Sequence, residues 1–291
     1  MQRILLCTDG SAFARTSYSY AAWLAQGLGA SVDVLYVTDA RGQATAEASN
    51  LSGSIGLGAA ESLLKKLVEV EHERAKLNHE RAKLILQEAE QALTHQGATT
   101  VKLIHKTGFL VDCIDSLAAD ADLMVLGKRG EAADFATGHL GANVDRILRS
   151  SPKPCLVTPR EFVPIERLLL AYDGSPTGQK LLSFLVTTLV NTPSLRDLDL
   201  HLLTVTTPDS EGEKKRCLTT AVATLQEAGL NPKATLLIGE PEKAIAQYVE
   251  QEAIHLLMLG AYGHRRIRHL VIGSTALQLL RSSQIPVLLY R

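Results

Sequence analysis

Residues 260–274 have the composition and spacing of a phosphate cradle. They read Gly260-Ala-Tyr-Gly263, then nine residues, then Gly273-Ser274, with Thr275 following. An apolar run at 254–259 leads in, and an amphipathic stretch at 276–281 leads out. A buried strand, a glycine-bearing loop and a helix start, in that order, let the backbone approach an anion closely. The helix N-terminus then offers free N–H groups and a partial positive charge. Asp173 is the second candidate. It follows the apolar run 168–172 and precedes Gly174-Ser175, which sets a carboxylate at the edge of a sheet. There it can accept from a ligand amine or hydroxyl, or it can cap the next helix.

The elements that must position these residues are written twice. Arg3-Ile-Leu-Leu-Cys-Thr-Asp9-Gly10-Ser11 returns as Arg167-Leu-Leu-Leu-Ala-Tyr-Asp173-Gly174-Ser175. Leu123-Met-Val-Leu-Gly127 returns as Leu256-Leu-Met-Leu-Gly260, and Arg149-Ser-Ser-Pro-Lys-Pro154 as Arg281-Ser-Ser-Gln-Ile-Pro286. The period is too long for a solenoid. The pattern predicts two duplicated domains, 1–158 and 165–291, with the boundary in the proline-bearing stretch 158–164.

In the second copy, strands are expected at 168–172, 200–205, 234–238, 256–259 and 287–290, and helices at 178–190, 214–228, 242–252 and 276–281. Short continuous Leu/Val/Ile runs fit strands buried on both faces, and strand–helix alternation fits right-handed crossovers. The fold class is therefore α/β, two doubly wound parallel-sheet domains. Ligands in such sheets bind where strand order reverses, at the carboxyl ends. The first copy carries a helical insertion at about 40–75, with a Gly/Ser-rich segment at 52–58 and a long helix over roughly 59–96.

Composition narrows the function classes. The chain has 291 residues, 46% of them hydrophobic but only 4% aromatic, so two aliphatic cores are expected. A net charge of −1 gives no general pull toward nucleic acid or anionic lipid. Cys7, Cys113, Cys155 and Cys217 are isolated, which argues against a zinc ribbon or redox dithiol and suits a reducing compartment. The chain enters a strand-like run at residues 3–8, and no apolar stretch nears the ~20 residues that span a bilayer. The expectation is a cytoplasmic protein without a signal peptide.

Other motifs carry less. Gly174-Ser-Pro-Thr-Gly178-Gln-Lys180 has the wrong spacing for a Walker loop. His72 and His79, seven apart on a helix, read as a solvated charged face and not a metal site. No nucleophile–base arrangement or paired carboxylates stand near the glycine loop, so no catalytic residue and no metal ligand is assigned.

The first-strand Asp, together with G-x-x-G-x9-G-[S/T] before the last helix, resembles the universal stress protein family in its tandem form. The resemblance covers nearly the whole chain. It implies Rossmann-like domains of the adenine nucleotide alpha hydrolase-like type, paired through their last strands, here 155–157 and 287–290. It also implies ATP as ligand, with or without Mg²⁺. The adenosine end would be held by Asp173 and Val205, the latter placed by the run Leu202-Leu-Thr-Val205. The phosphates would be held by Gly260, Gly263, Gly273, Ser274 and Thr275.

The first copy departs from this pattern. It reads Gly127-Lys128-Arg129-Gly130, ten residues, then Gly141-Ala142-Asn143, without the hydroxyl. Its loop, 131–140, carries Glu131 and Asp134, a formal −2, whereas 264–272 carries Arg265, Arg266 and Arg268, a formal +3. One charge at ~4 Å is worth about 1–4 kcal/mol. The expectation is ATP binding mainly by the second domain, in a stress-response regulator that hydrolyses ATP slowly at most. Its expected partners are an adenine nucleotide, a second copy and an unidentified protein, with no nucleic acid or membrane. A nucleotide-independent ligand- or protein-interaction module, and an enzyme that adenylates a substrate, stay open as other classes.

Overall fold

The computed structural model describes residues 1–39, 57–130, 140–151, 153–261 and 272–291, and only the backbone of 57–64. The first half runs β1 (Arg3–Thr8), α1 (Ala12–Leu28), β2 (Ser31–Asp39), α2 (Leu57–His95), β3 (Val101–Gly108), α3 (Leu110–Ala118), β4 (Leu123–Gly127), α4 (Ala142–Ser150) and β5 (Cys155–Thr158). The second runs β6 (Arg167–Ala171), α5 (Pro176–Val190), β7 (Asp199–Thr206), α6 (Glu211–Glu227), β8 (Lys233–Ile238), α7 (Pro241–Gln251), β9 (Leu256–Gly260), α8 (Ser274–Ser282) and β10 (Val287–Tyr290). The alternation expected from the sequence is present in both halves. Helix α5 starts two residues earlier than expected, because Ser175 caps it and Pro176 occupies its first turn, where a missing N–H costs nothing.

The ten strands among the described residues form one sheet, in the order β3-β2-β1-β4-β5-β10-β9-β6-β7-β8. Every neighbouring pair is parallel except β5 and β10, which meet antiparallel with Leu156 opposite Leu288. Each half therefore repeats one strand order, related to the other by the reversal at β5/β10. The pairing of last strands occurs within one chain. Strand order reverses between β1 and β4, and again between β6 and β9, which creates one carboxyl-end crevice in each half.

The inner strands of the sheet are buried on both faces, while the edge strands β3 and β8 are partly exposed. Successive residues of one strand feed opposite cores, Ile4 and Leu6 to one and Leu5 to the other, which is why the strand sequences are continuously apolar. Helices α1, α2, α5 and α6 cover the first face; α3, α4, α7 and α8 cover the second. The linker lies against α1: Val163 N–H donates to the Tyr20 hydroxyl at 3.1 Å, and the Phe162 ring stands 4.8 Å from that of Tyr20.

Helix α2 shows how the halves diverged. Leu86, Ala89 and Leu93 are buried on the sheet as Leu218, Ala221 and Leu225 of α6 are. Gly10 packs on Ile85 as Gly174 packs on Cys217, each one residue before the first member of its series. The two helices thus align at their C-terminal ends, but α2 has 39 residues and α6 has 17. The surplus lies at its N-terminal end, where Val68, Val70 and Leu77 are exposed. His79 stands 5.6 Å from the His105 ring, which hydrogen-bonds Thr38. Among the described residues no group of three or more His, Cys, Asp or Glu could hold a metal, and no helix is long and apolar enough to cross a membrane. The four cysteines are free, and burial pushes the Cys7 and Cys155 thiols up to about 12, so both stay protonated.

Lys128 yields a stability prediction. Burial, with Arg129 nearby, pulls its ammonium from 10.5 down to about 8. Between those values the unfolded chain binds the extra proton, so the Lys128 contribution to stability rises with pH across that window and is lost as pH falls through about 8. Urea titrations across the window are expected to show this rise in the wild type and not in Lys128→Met. The same rise in the variant would assign it to other groups.

Candidate functional site

The second-half crevice is assembled from the carboxyl ends of β7, β6 and β9. Strand β6 pairs with both neighbours, Ala171 lying opposite Leu203 on one side and Leu259 on the other. Asp173, Val205 and Gly260 therefore stand at one edge, two residues or fewer beyond these pairs. Asp173 is not the helix cap. Ser175 is, its hydroxyl accepting from Gly178 N–H at 3.0 Å. The Asp173 carboxylate instead closes a local turn through Oδ1, which accepts from Ser175 N–H at 2.9 Å. Gly174 takes φ +76°, a conformation that glycine adopts without strain.

Gly178 holds that carboxylate in place by being small. A Cβ on it would lie 2.8 Å from Asp173 Oδ1. Sequence reading passed over it, although a glycine in the first turn of a helix is itself a signal, because it costs about 1 kcal/mol against alanine. Lys214 was also passed over. Helix α6 brings its ammonium onto the Asp173 main-chain oxygen, setting a cation at the crevice edge.

Gly260 ends β9 close to α5, where a Cβ would meet the Thr177 side chain at 3.3 Å. Beyond it, Gly273 N–H donates to Ala261 O at 2.8 Å, which returns the chain to the strand end before α8 begins. Gly273 is the N-cap residue and supplies no side chain, and the first helical bond runs from Leu277 N–H to Gly273 O at 2.9 Å. By helix geometry the N–H groups of Ser274, Thr275 and Ala276 have no acceptor within α8. Ser274 is exposed. The Thr275 hydroxyl donates to Glu242 Oε2 at 3.3 Å, so it is directed at α7 and its contribution to an anion would be its main-chain N–H. Gly263 and the arginines at 265, 266 and 268 lie outside the described residues.

The first-half crevice has the same frame and a different interior. Asp9 Oδ1 accepts from Ser11 N–H at 3.0 Å, as Asp173 does from Ser175. Gly130 lies so close that a Cβ on it would sit 2.6 Å from Asp9 Oδ2, and its counterpart Gly263 lies outside the described residues. The position of Lys214 is taken by the buried Ala82, and α4 begins on Gly141-Ala142 without a hydroxyl. Glu131, Asp134 and His139 lie outside the described residues.

The sequence pattern of the universal stress protein family matches residues 1–159 and again 164–291. Universal stress protein Slr1230 of Synechocystis sp. is 54% identical over 291 residues, which covers 100% of both chains. Among solved structures, a universal stress protein from Archaeoglobus fulgidus superposes with a TM-score of 0.74 at 22% identity, covering 99% of this chain and 97% of that one. A putative universal stress protein from Pseudomonas aeruginosa superposes with a TM-score of 0.63 at 16% identity, covering 99% and 92%. At such identities these two structures speak to the fold alone. The duplicated sequence pattern and the full-length relative establish that the chain belongs to the universal stress protein family, with two copies of the domain in one polypeptide.

Proposed function

We propose that the second-half crevice binds ATP or a related adenine nucleotide, and that the protein acts in the cytoplasm as a nucleotide-responsive stress regulator and not as an enzyme. The observation that carries this reading is the convergence, at one switch point, of the Asp173 carboxylate and the α8 N-terminus, whose N-cap Gly273 supplies no side chain. The first offers an acceptor to a nucleoside hydroxyl or amine. The second offers backbone donors to phosphate. Asp173, Val205, Gly260, Gly273, Ser274 and Thr275 would hold the nucleotide, with Gly263 among the loop residues between. Among the described residues no group of three or more His, Cys, Asp or Glu could hold a metal, so Mg²⁺ would arrive with the nucleotide.

Gentle purification, denaturation and mass spectrometry of released small molecules tests the reading, with direct ATP titration alongside. Release of an adenine nucleotide is the expected result. No release, and no binding at millimolar ATP, would leave the nucleotide-independent module as the better account. Gly178→Val offers a sharper check. Its branched side chain displaces Asp173, while valine suits a helix no worse than glycine. A variant with unchanged helix content and weakened ATP binding is expected; undiminished binding would remove Asp173 from the site.

The projecting end of α2 is the proposed surface for a second copy of the chain. Val68, Val70 and Leu77 are exposed there, and β5 and β10 already pair within the chain. Sedimentation equilibrium decides between a dimer and a monomer that offers this helix to another protein.

A further inference from the structure

The first-half loop carries a buried cation that the nucleotide reading leaves unused. Lys128 follows Gly127 at the end of β4 and is 7% exposed. Its Nζ crosses to the other domain and donates to the main-chain oxygens of Arg281 and Ser283, at 2.6 and 2.8 Å. These carbonyls end α8, whose opposite end faces the proposed phosphate site. A helix C-terminus has orphan carbonyls and a partial negative charge, and an ammonium satisfies both.

Repeat symmetry shows that this contact is peculiar to the first copy. Lys128 N–H donates to Thr158 O and its carbonyl accepts from Gly141 N–H; Ala261 makes the same two bonds, to Tyr290 O and from Gly273 N–H. Ala261 is thus the equivalent of Lys128, and its methyl group cannot reach across. The second domain answers from a different position. Arg291 Nη1 donates to Arg149 O at 2.8 Å and Ser151 O at 3.2 Å, at the end of α4.

We infer that Lys128 is a positioning residue for the nucleotide site of the other domain: the first-half loop clamps α8 from behind and thereby sets its neighbour's nucleotide affinity. The inference rests on the reading of the second-half crevice given above. Helix α8 has nine residues, so it moves as one short rigid body. It is tied at the front through Gly273 to Ala261, at the side through Thr275 to Glu242, and at the back by Lys128. Releasing the back lets the front turn shift, and hydrogen bonds from its N–H groups to an anion weaken steeply with misalignment.

Isothermal titration of ATP into wild type, Lys128→Met, Lys128→Arg and Arg291→Ala tests this, with hydrogen exchange of the amides of 274–276 measured in parallel. Lys128→Met is expected to bind ATP about three- to tenfold more weakly, and Lys128→Arg to restore most of the loss. Arg291→Ala removes a clamp of the same kind from α4 and is expected to lower thermal stability while leaving ATP affinity unchanged. Unchanged affinity in Lys128→Met overturns the inference. So does an equal loss in Arg291→Ala, which would show general loosening of the interface. Should Lys128→Met not fold, Lys128→Gln, which keeps an amide donor, is judged by the same comparison. A wild type that binds no ATP overturns the nucleotide reading instead. The clamp is then read from exchange alone: faster exchange at 274–276 in the Lys128 variant but not in Arg291→Ala supports it, and equal rates overturn it.

Discussion

Asp173→Ala is expected to weaken ATP binding by about ten- to a hundredfold, the range for losing a hydrogen bond to a charged group. The equivalent change, Asp9→Ala, is expected to leave affinity unchanged. The contrast follows from the two interiors. Asp173 has Oδ1 engaged by Ser175 N–H, which fixes the carboxylate at the crevice edge. Asp9 has the same first bond, but the buried Ala82 stands where Lys214 sets a cation beside Asp173. Asp173→Asn separates the two roles of the side chain. Its amide oxygen can still accept from Ser175, so the turn survives, while the charge is lost. An affinity between wild type and Asp173→Ala is expected for it. Titration calorimetry on the four proteins checks the set, and wild-type affinity in Asp173→Ala would take the carboxylate out of nucleotide recognition.

Leu156→Ala is expected to destabilise the protein by about 2–5 kcal/mol, the cost of a large-to-small change in a core. Leu156 is buried on β5 opposite the buried Leu288 of β10, across the antiparallel junction of the two halves. Both belong to a core that holds residues from both halves. The void therefore weakens two domains at once, and unfolding is expected to remain one transition with a lowered midpoint. Urea unfolding followed by circular dichroism measures it. Two separate transitions in the wild type would show that the halves fold as independent units despite their shared core.

Much of the architecture was legible because its signals are local. Strand β7 was expected over 200–205 and runs Asp199–Thr206; the long helix was expected over 59–96 and runs Leu57–His95. Hydrophobic runs of this kind report burial on both faces of a sheet or along one stripe of a helix, whatever lies further away. Helix α5 begins two residues before the expected 178, because its start is set by the Ser175 cap and Pro176 and not by the apolar run that follows.

The site was legible in outline only. Asp173, Val205 and Gly260 reach one edge because parallel register brings the ends of β6, β7 and β9 together. The Thr275 hydroxyl is on Glu242, 33 residues back along the chain, a partner that spacing cannot reveal. The contribution of Gly178 depends on where a carboxylate five residues earlier comes to rest.

From the sequence by itself came the duplication, the alternation of strands and helices in each half, and the glycine-bearing turn before the last helix. All three are written in residues near one another or in the order of repeats. Only the tertiary structure decided which loop residues serve a crevice and which serve the domain boundary. Lys128 stands in a loop that looks in sequence like an altered phosphate cradle, yet its ammonium lies on carbonyls 153 and 155 residues away. That destination depends on β5 meeting β10 antiparallel, and on a buried ammonium needing acceptors, which the end of α8 supplies from the other half of the chain.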